Sequence, residues 1–328
     1  MTGANPKSSS SPLHRAFFDI RWPRDRSFHV IGQGMDAVDW VCFLPHYPVH
    51  SSRTECDEVT KLGGGPAATA TALCGRYGLK ARFIGSVGGD DLGRFSLEDL
   101  RREPMDLSCV RVVPGATTQV GIILVDRLTG ERTVLWHRDR RLRYAEGELK
   151  REWIVSGRLL HLDGCDPDAN LQAARWAREA GMKVSLDVDD VQAGIHEVVE
   201  LTDFLIPSEA FVRNFTGHED WRSGLRDLAR RSRGFVAVTR GRKGTAAIWN
   251  GRIYQLPAFP VRPVDTNGAG DVFHGAFIYS LFQDWSVRRC LLFAGAAASL
   301  SCTRVGARAG IPPLEEVLSL LKAHPRES

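Results

Sequence analysis

The sequence predicts an α/β protein with a doubly wound, mostly parallel sheet flanked by helices, and with a small separate β-sheet. Two observations favour this class. Across residues 157–258, short apolar strands alternate with helical patterns, which is typical of parallel strands joined by right-handed crossovers. Across residues 108–145, apolar and polar positions alternate around the turn at residues 127–130, which indicates a hairpin of a separate small sheet.

The composition is that of an ordinary globular protein. The chain has 328 residues, of which 43% are hydrophobic and 25% are charged, and its net charge is +4. This small charge does not indicate a nucleic-acid partner. Apolar runs are too short for a membrane span, and the seven cysteines are scattered without a CxxC pair. We therefore expect a cytoplasmic protein with reduced thiols and with no nucleic-acid or membrane partner.

The elements of the first half follow from local patterns. Residues 1–27 begin with a Ser/Pro-rich stretch, and we expect a flexible N-terminal extension before one domain at residues 28–328. Residues 28–32 form an apolar strand that ends in glycine. Residues 63–65 are three glycines, which predict a turn, and Pro66 with the small residues after it predicts a helix. Residues 81–85 and 92–102 read as the next strand and helix.

The second half supplies the remaining strands of the parallel sheet. Residues 158–163 and 183–188 are strand-like and flank an amphipathic helix at residues 168–180. Ligands of such sheets bind outside the carboxyl ends of the strands. Several polar residues fall at such ends, and most of them would be ordinary loop or capping groups: His161, Asp163, Asp187, Asp189, Ser208, Glu209 and Thr239.

The most informative stretch is residues 265–276, which read DTNGAGDVFHGA between an extended run and a long apolar segment. Gly268, Ala269 and Gly270 would leave backbone N–H groups free at a helix start, where anions bind. Asp271 falls on the first helical turn, beside these groups. A carboxylate next to an anion site suits phosphoryl transfer. The alternative is a glycine-rich turn with an acid that the helix dipole favours.

Residues 265–276 resemble the second signature of the PfkB (ribokinase-like) carbohydrate kinases. Two further stretches, GGGPAATATA and FIGSVGGDDLGRF, resemble the first signature. The resemblance implies ATP and Mg²⁺ as cofactors, Asp271 as the base, and Gly268–Gly270 as the anion hole. It places Gly63, Gly64 and Gly65 on the sugar. It also implies a β lid, from about residues 38–62 and 108–145, which covers the sugar and often mediates homodimers.

The resemblance also implies sites for the nucleotide and for a monovalent cation, K⁺. Residues 239–244, TRGRKG, look like the nucleotide-binding segment of the family. The usual Asn-x-x-Glu motif, whose Glu acts on magnesium, reads Ser-Glu-Ala-Phe at residues 208–211, and Glu209 is a possible substitute. The implied nucleotide residues are Ser208, Thr239, Arg240, Gly241, Gly244 and Gly295. The implied cation residues, partly through their backbone, are Asp265, Asn267, Ser301, Arg304, Gly306 and Gly310.

In motif detail the sequence is most similar to sulfofructose kinases and ketohexokinases, which implies Asp39 and Arg53 on the sugar. Trp136 and Cys165 stand where a sulfonate would need polar groups. The sequence therefore predicts an ATP-dependent kinase that phosphorylates a primary hydroxyl of a small sugar, preferably a ketose. Three alternatives stay open: a sulfofructose kinase, a nucleoside kinase that stacks a base on aromatic lid residues, and a catalytically silent sugar-binding regulator. Ala68, which replaces a sugar-binding asparagine, favours the last alternative, and Asp271 argues against it.

Overall fold

The computed structural model describes residues 12–324. Within these residues the strands are β1 (Phe28–Gln33), β2 (Ala37–Leu44), β3 (Glu58–Gly64), β4 (Ala81–Gly88), β5 (Asp106–Val113), β6 (Val120–Asp126), β7 (Arg132–His137), β8 (Gly157–Leu162), β9 (Lys183–Leu186), β10 (Phe204–Leu205), β11 (Phe235–Thr239), β12 (Thr245–Trp249) and β13 (Arg252–Leu256). The helices are α1 (Pro66–Arg76), α2 (Asp91–Leu100), α3 (Arg151–Ile154), α4 (Pro167–Glu179), α5 (Ile195–Leu201), α6 (Glu209–Thr216), α7 (Trp221–Arg231), α8 (Ala269–Leu281), α9 (Val287–Ser301) and α10 (Leu314–Ala323). None of these helices has the length and hydropathy of a membrane span.

The large sheet has nine strands in the order β13-β12-β11-β10-β9-β8-β1-β4-β5. The seven strands from β11 to β5 run parallel, and β12 and β13 add an antiparallel edge. Because parallel strands are connected by crossover helices, both faces of the sheet are covered. The predicted doubly wound sheet is therefore confirmed.

The small sheet has four strands in the order β3-β2-β6-β7. Strands β6 and β7 form the predicted antiparallel hairpin, while β2 runs parallel to β6. One boundary of the predicted small sheet is wrong. We expected its second segment to begin at about residue 108, but β5 pairs with β4 in the large sheet. The second segment of the small sheet therefore begins with β6. The β5 residues alternate like a lid strand, and this alternation cannot reveal which sheet a strand joins.

The side chains of the small sheet divide between two faces. On one face, Val41, Phe43, Ile123 and Val125 are buried in a small core of their own. Asp39 lies on this face as well, since side chains two residues apart on a strand point the same way. Strand register places Asp39 beside Gly121 and Gly121 beside Trp136. We call this face, which carries Asp39, the inner face of the lid.

Two helices meet closely on one side of the large sheet and carry the start of the candidate site. Helix α1 is rich in alanine, and α8 crosses it at Gly275. A Cβ added to Gly275 would lie 2.7 Å from the carbonyl oxygen of Ala70. The glycine is therefore needed for this approach, because a side chain there would displace backbone. This contact fixes the position of the first turn of α8 over the sheet.

The segment before β1 differs from the flexible extension that we expected. Residues 12–15 form a short 3₁₀-helix in which Leu13 is buried. The ring of Phe18 makes edge-on contacts with Phe204 at 5.3 Å and with Phe235 at 5.1 Å. Apolar side chains thus hold residues 12–27 against the core, where aromatic contacts of this kind add to the burial energy. The rest of the predicted extension, residues 1–11, lies outside the described residues.

Candidate active site

The candidate base stands at the start of α8. Gly268 precedes this helix with a φ of +76°, and a Cβ on it would lie 2.4 Å from the Cα of Ala307. Only glycine fits such a position. A Cβ on Gly270 would meet nothing within 4 Å, so open space adjoins the first turn. The Ala269 N–H donates to the Thr266 carbonyl at 3.3 Å, which leaves the following amides as the better anion donors.

The carboxyl of Asp271 is partly buried on this first turn. Burial and the neighbouring carboxylates Asp187 and Asp189 raise its pKa to about 8, while Arg132 and His274 oppose the rise. Burial disfavours the charged form, and like charges add to that effect. A carboxyl with a pKa near neutrality can accept a proton efficiently, as general base catalysis requires.

The carboxylate expected to bind the sugar is joined to the same stretch. The side-chain amide of Asn267 donates to Oδ2 of Asp39 at 2.9 Å. Burial raises the pKa of Asp39 to about 6, and the hydrogen bond from Asn267 opposes this rise. We predicted Asn267 as part of a monovalent cation site held partly through backbone. Its side-chain amide is bonded to Asp39, and the cation role stays a prediction. Asp39 and Asp271 are therefore linked by one short stretch of chain.

The three glycines of residues 63–65 are needed for distinct reasons. Gly65 has a φ of +91° and caps α1. A Cβ on Gly64 would lie 2.2 Å from Oδ2 of Asp39, and one on Gly63 would lie 2.1 Å from Nη2 of Arg308. The contact of these glycines with the sugar stays a prediction. Sequence analysis missed Arg308, because a buried arginine far along the chain leaves no local signal.

The hairpin between β6 and β7 contacts the start of the candidate site directly. Nη1 of Arg132 donates to Oγ1 of Thr266 at 3.2 Å. The Thr266 hydroxyl in turn donates to the carbonyl of Gly130 at 3.1 Å. These bonds join the lid to the residues just before α8. Arg132 is a second residue that sequence reasoning missed, although it stood at the edge of the predicted hairpin.

The predicted nucleotide residues lie at the carboxyl ends of neighbouring strands. Ser208 forms a parallel bridge with Thr239, and its hydroxyl caps α6 by accepting from Phe211 N at 3.2 Å. Gly241 and Gly244 both have positive φ in the connection from β11 to β12. Gly295 lies on α9, where a Cβ would meet open space. Gly241 likewise adjoins open space, whereas a Cβ on Gly244 would lie 2.1 Å from the Leu256 carbonyl oxygen. The amides of Thr239 and Gly244 already donate to the carbonyls of Pro207 and Gly241.

The charged residues predicted near the nucleotide are already paired. Nε of Arg240 donates to Oε2 of Glu209 at 2.6 Å, and its guanidinium lies 3.9 Å from the ring centroid of Trp221. Lys243 Nζ lies 3.8 Å from the other carboxylate oxygen of Glu209. Glu209 is therefore committed to two cations, and this argues against the magnesium role that we considered for it.

The residues fit a magnesium ion at a different place. Phe211, where the family motif has its glutamate, is fully buried and offers no oxygen. Asp187 and Asp189 follow β9, and their negative charges raise the pKa of Asp271. Burial raises the pKa of Asp187, but the His274 imidazole lowers it below the ordinary value. Nε2 of His274 lies 3.2 Å from Oδ1 of Asp187. Magnesium commonly takes one or two carboxylates together with substrate phosphates. The described residues contain no group of three or more His, Cys, Asp or Glu side chains that could hold a metal ion.

The residues predicted for a monovalent cation are only partly free to bind one. Asp265 is fully buried; one carboxylate oxygen accepts from Asn267 N and the other from Gly306 N, both at 2.8 Å. The Arg304 side chain pairs with Glu316 at 2.7 Å, and Gly310 has no side chain. The Ser301 hydroxyl donates to the Ala298 carbonyl at 2.8 Å, and the Ser301 carbonyl accepts from Arg304 N at 3.0 Å. K⁺ binding stays a prediction.

Two further sequence-predicted residues stand apart from this group. Arg53 is exposed in the irregular segment between β2 and β3, and no contact connects it to Asp39. Trp136, at the inner-face position beside Gly121, is 60% exposed. Near it, Nη1 of Arg138 donates to the Cys165 carbonyl at 2.6 Å. The Arg138 side chain is therefore already bonded, whereas the Trp136 indole is largely exposed.

A doubly wound sheet with a lid, and an acid at a glycine-rich helix start, define a kinase of the ribokinase-like class. The chain matches the pfkB family carbohydrate kinase over residues 29–314, and it belongs to that family. It is 34% identical over 263 residues to the ATP-dependent ribose-1-phosphate kinase of Halopiger xanaduensis, covering 79% of this chain and 86% of that protein.

Solved structures agree with this membership. A putative ribokinase from Agrobacterium tumefaciens superposes with a TM-score of 0.84 at 28% identity, covering 91% of this chain and 99% of that one. The ribokinase of Arabidopsis thaliana, solved with ribose and ATP, superposes with a TM-score of 0.75 at 25% identity, covering 90% and 99%. The predicted fold class and the predicted kinase class are thus confirmed, whereas the acceptor is still to be identified.

Proposed function

We propose that this protein transfers the γ-phosphoryl group of ATP to a primary hydroxyl of a small sugar, with ketoses as the first candidates. The observation that carries this proposal is the link between two acids. Asp271, whose pKa is raised, stands at the helix start, and Asn267 of the same stretch holds Asp39. We infer that Asp271 as the base and Asp39 as a sugar-binding carboxylate act on one small substrate.

In the proposed reaction, the oxygen of the sugar hydroxyl attacks the γ-phosphorus, and the Asp271 carboxylate accepts the proton of that hydroxyl. The new bond joins the sugar oxygen to phosphorus, the bond from phosphorus to the bridging β-oxygen breaks, and ADP leaves with that electron pair. The N–H groups of Gly268–Gly270, as predicted from the family, would hold the equatorial oxygens. Preorganised donors of this kind are worth about 10²–10³ in rate. Magnesium, when bound near Asp187 and Asp189, would neutralise charge on the phosphates.

ATP as the donor is supported by the Arabidopsis relative, which was solved with ribose and ATP, and by the residues at the sheet edge. Gly241 and Gly295 both adjoin open space, and Gly241 follows β11, whose last residue Thr239 is bridged to Ser208. We infer that this edge holds the nucleotide, and that the four-stranded sheet is the lid over the sugar. A lid that excludes water would suppress hydrolysis of ATP.

We also propose a homodimer through the outer face of the lid, opposite the inner face. Strand register aligns Trp40, Ile122 and Leu135 across three strands, and all three side chains are more than one-third exposed. A row of apolar side chains on an open sheet face favours burial against a second copy. Sedimentation analysis of wild type and of Leu135→Lys tests this: a monomeric wild type would contradict it.

A nucleoside is the second candidate acceptor, and Trp136 is the observation that favours it. Its indole, 60% exposed, shares the inner face with Asp39, and a planar base could stack there. A sulfosugar has less support, because Arg53 is exposed with no contact to Asp39 and an indole stands where a sulfonate would need polar groups. A silent sugar-binding regulator would have no need for a base at Asp271.

The decisive experiment measures ATP- and Mg²⁺-dependent phosphorylation over ketoses, aldoses, sulfosugars and nucleosides, with and without K⁺. We expect turnover with at least one ketose, and a product phosphorylated at its hydroxymethyl group. Asp271→Asn, which keeps the shape and removes the base, should lower kcat by about 10²–10⁴-fold. Turnover of nucleosides alone would select the second candidate. Sugar binding without any turnover would leave only the regulator.

A further inference from the structure

Arg308 is a buried arginine in the loop after α9, and the proposed reaction does not use it. Its side chain is 1% exposed. Nε donates to Oδ2 of Asp99 on α2 at 2.9 Å. Nη1 donates to Oδ1 of Asp36, between β1 and β2, at 3.0 Å, and to the Gly64 carbonyl at 3.1 Å. One guanidinium therefore joins α2, the start of the lid and the end of β3.

The two glycines at the end of β3 lie between this guanidinium and the sugar-side acid. A Cβ on Gly63 would lie 2.1 Å from Nη2 of Arg308. A Cβ on Gly64 would lie 2.2 Å from Oδ2 of Asp39. Successive residues of a strand point to opposite faces, so Arg308 and Asp39 approach this backbone from different sides. We call residues 61–64 the hinge, because they lead from the lid into α1.

The charges around Arg308 show that it is a fixed part of the structure. Burial raises the pKa of Asp36, and Arg308 together with the Ser96 hydroxyl opposes this rise. Asp36, like Arg308, is almost completely buried. A buried ion pair of this kind adds little net stability compared with apolar packing, whereas removing one partner is costly. We therefore expect Arg308 to orient the chain segments that it contacts. Its planar guanidinium does this through three directed hydrogen bonds.

We propose that Arg308 is a positioning residue for the sugar. It holds the hinge through the Gly64 carbonyl, and the hinge in turn fixes where Asp39 stands relative to Asn267 and the first turn of α8. This inference rests on the proposed role of Asp39 in binding the sugar. It predicts that a change at Arg308 weakens sugar binding while ATP binding, at the other end of the site, is preserved.

The test uses Arg308→Lys and Arg308→Met in the full chain. Lysine cannot reach Asp36, Asp99 and Gly64 together, so the three directed hydrogen bonds are lost. It keeps the positive charge beside the buried carboxylates, and this guards against simple unfolding. Arg178→Met is the matched control, because Arg178 on α4 forms a bidentate pair with Asp203, which precedes β10, with both hydrogen bonds at 3.0 Å. We expect Arg308→Lys to raise the sugar KM roughly tenfold, with the ATP KM within about twofold.

Hydrogen exchange of the hinge amides gives a second readout that needs no substrate. In the ligand-free protein, residues 61–64 should exchange about tenfold faster in the Arg308 variants and at the wild-type rate in Arg178→Met. Unchanged exchange in folded Arg308→Lys would overturn the proposal, and so would equal acceleration in Arg178→Met. If wild type phosphorylates no sugar, the proposed function fails, but the exchange rates still decide whether Arg308 holds the hinge.

Discussion

The side-chain amide of Asn267 donates to Oδ2 of Asp39 across 2.9 Å, although the two residues are 228 positions apart. This bond joins the lid to the residues that lead into α8. Asp39→Asn would remove the acceptor charge and turn the sugar-side acid into an amide. We expect the sugar KM to rise about 10–100-fold, since a charge-assisted hydrogen bond is worth roughly 1.5–3 kcal/mol.

Steady-state kinetics with the sugar and ATP varied separately would measure this effect. Asn267→Ala should show the same direction with a smaller change, because it removes one donor and keeps the carboxylate. A rise in the ATP KM with an unchanged sugar KM would contradict the proposed role of Asp39 in binding the sugar.

The raised pKa of Asp271 makes a prediction about pH. Only the deprotonated carboxyl can accept the hydroxyl proton, so kcat/KM should increase with pH and level off near pH 8, the pKa of Asp271 in the free protein. Below that value its logarithm should fall with a slope of one per pH unit. A profile that is flat between pH 6 and 9, measured with a saturating concentration of the second substrate, would show that Asp271 is not the base.

The same pKa fixes the sign of a stability effect. The folded pKa of Asp271 lies above the ordinary value of 3.8, so the folded state binds more protons than the unfolded state between these two values. The free energy of unfolding contributed by this group therefore declines as pH rises through that window. Asp271→Asn should relieve the loss, and its advantage in stability over wild type should grow from pH 4 to pH 8 in urea unfolding.

The sequence predicted those features that local patterns record. The alternation of β8, α4 and β9, and the DTNGAGD motif that begins α8, each follow from a few neighbouring residues and were placed correctly. The contacts of Arg308 and Arg132 could not be predicted, because they join positions 209 and 134 residues apart. No periodicity identifies which buried arginine meets which carboxylate. Sequence analysis placed Asp187 and Asp189 at the end of a strand, but only the fold brings them near Asp271.

The N-terminal segment shows the limit of a reading based on composition. Serine and proline at its start suggested flexibility, yet Phe18 packs edge-on against Phe204 and Phe235. We expect Phe18→Ala to lower the free energy of unfolding by about 2 kcal/mol, less than the 3–5 kcal/mol of a fully buried phenylalanine. Phe17, which is 58% exposed, is the matched control, and Phe17→Ala should change it by under about 0.5 kcal/mol. Equal effects in chemical denaturation would contradict the packing of this segment.

Arg132 ties the lid to the catalytic stretch, and this contact yields a prediction with two readouts. Its Nη1 donates to the Thr266 hydroxyl at 3.2 Å, and its charge holds down the pKa of Asp271. Arg132→Met should therefore lower kcat, and it should also shift the acidic limb of the pH profile to higher pH. Removal of a nearby cation always raises the pKa of a carboxyl. Arg127→Met is the control, because Arg127 lies in the same hairpin but pairs with Asp57 at 2.8 Å. A loss of kcat without any shift of the limb would mean that Arg132 acts on lid closure alone.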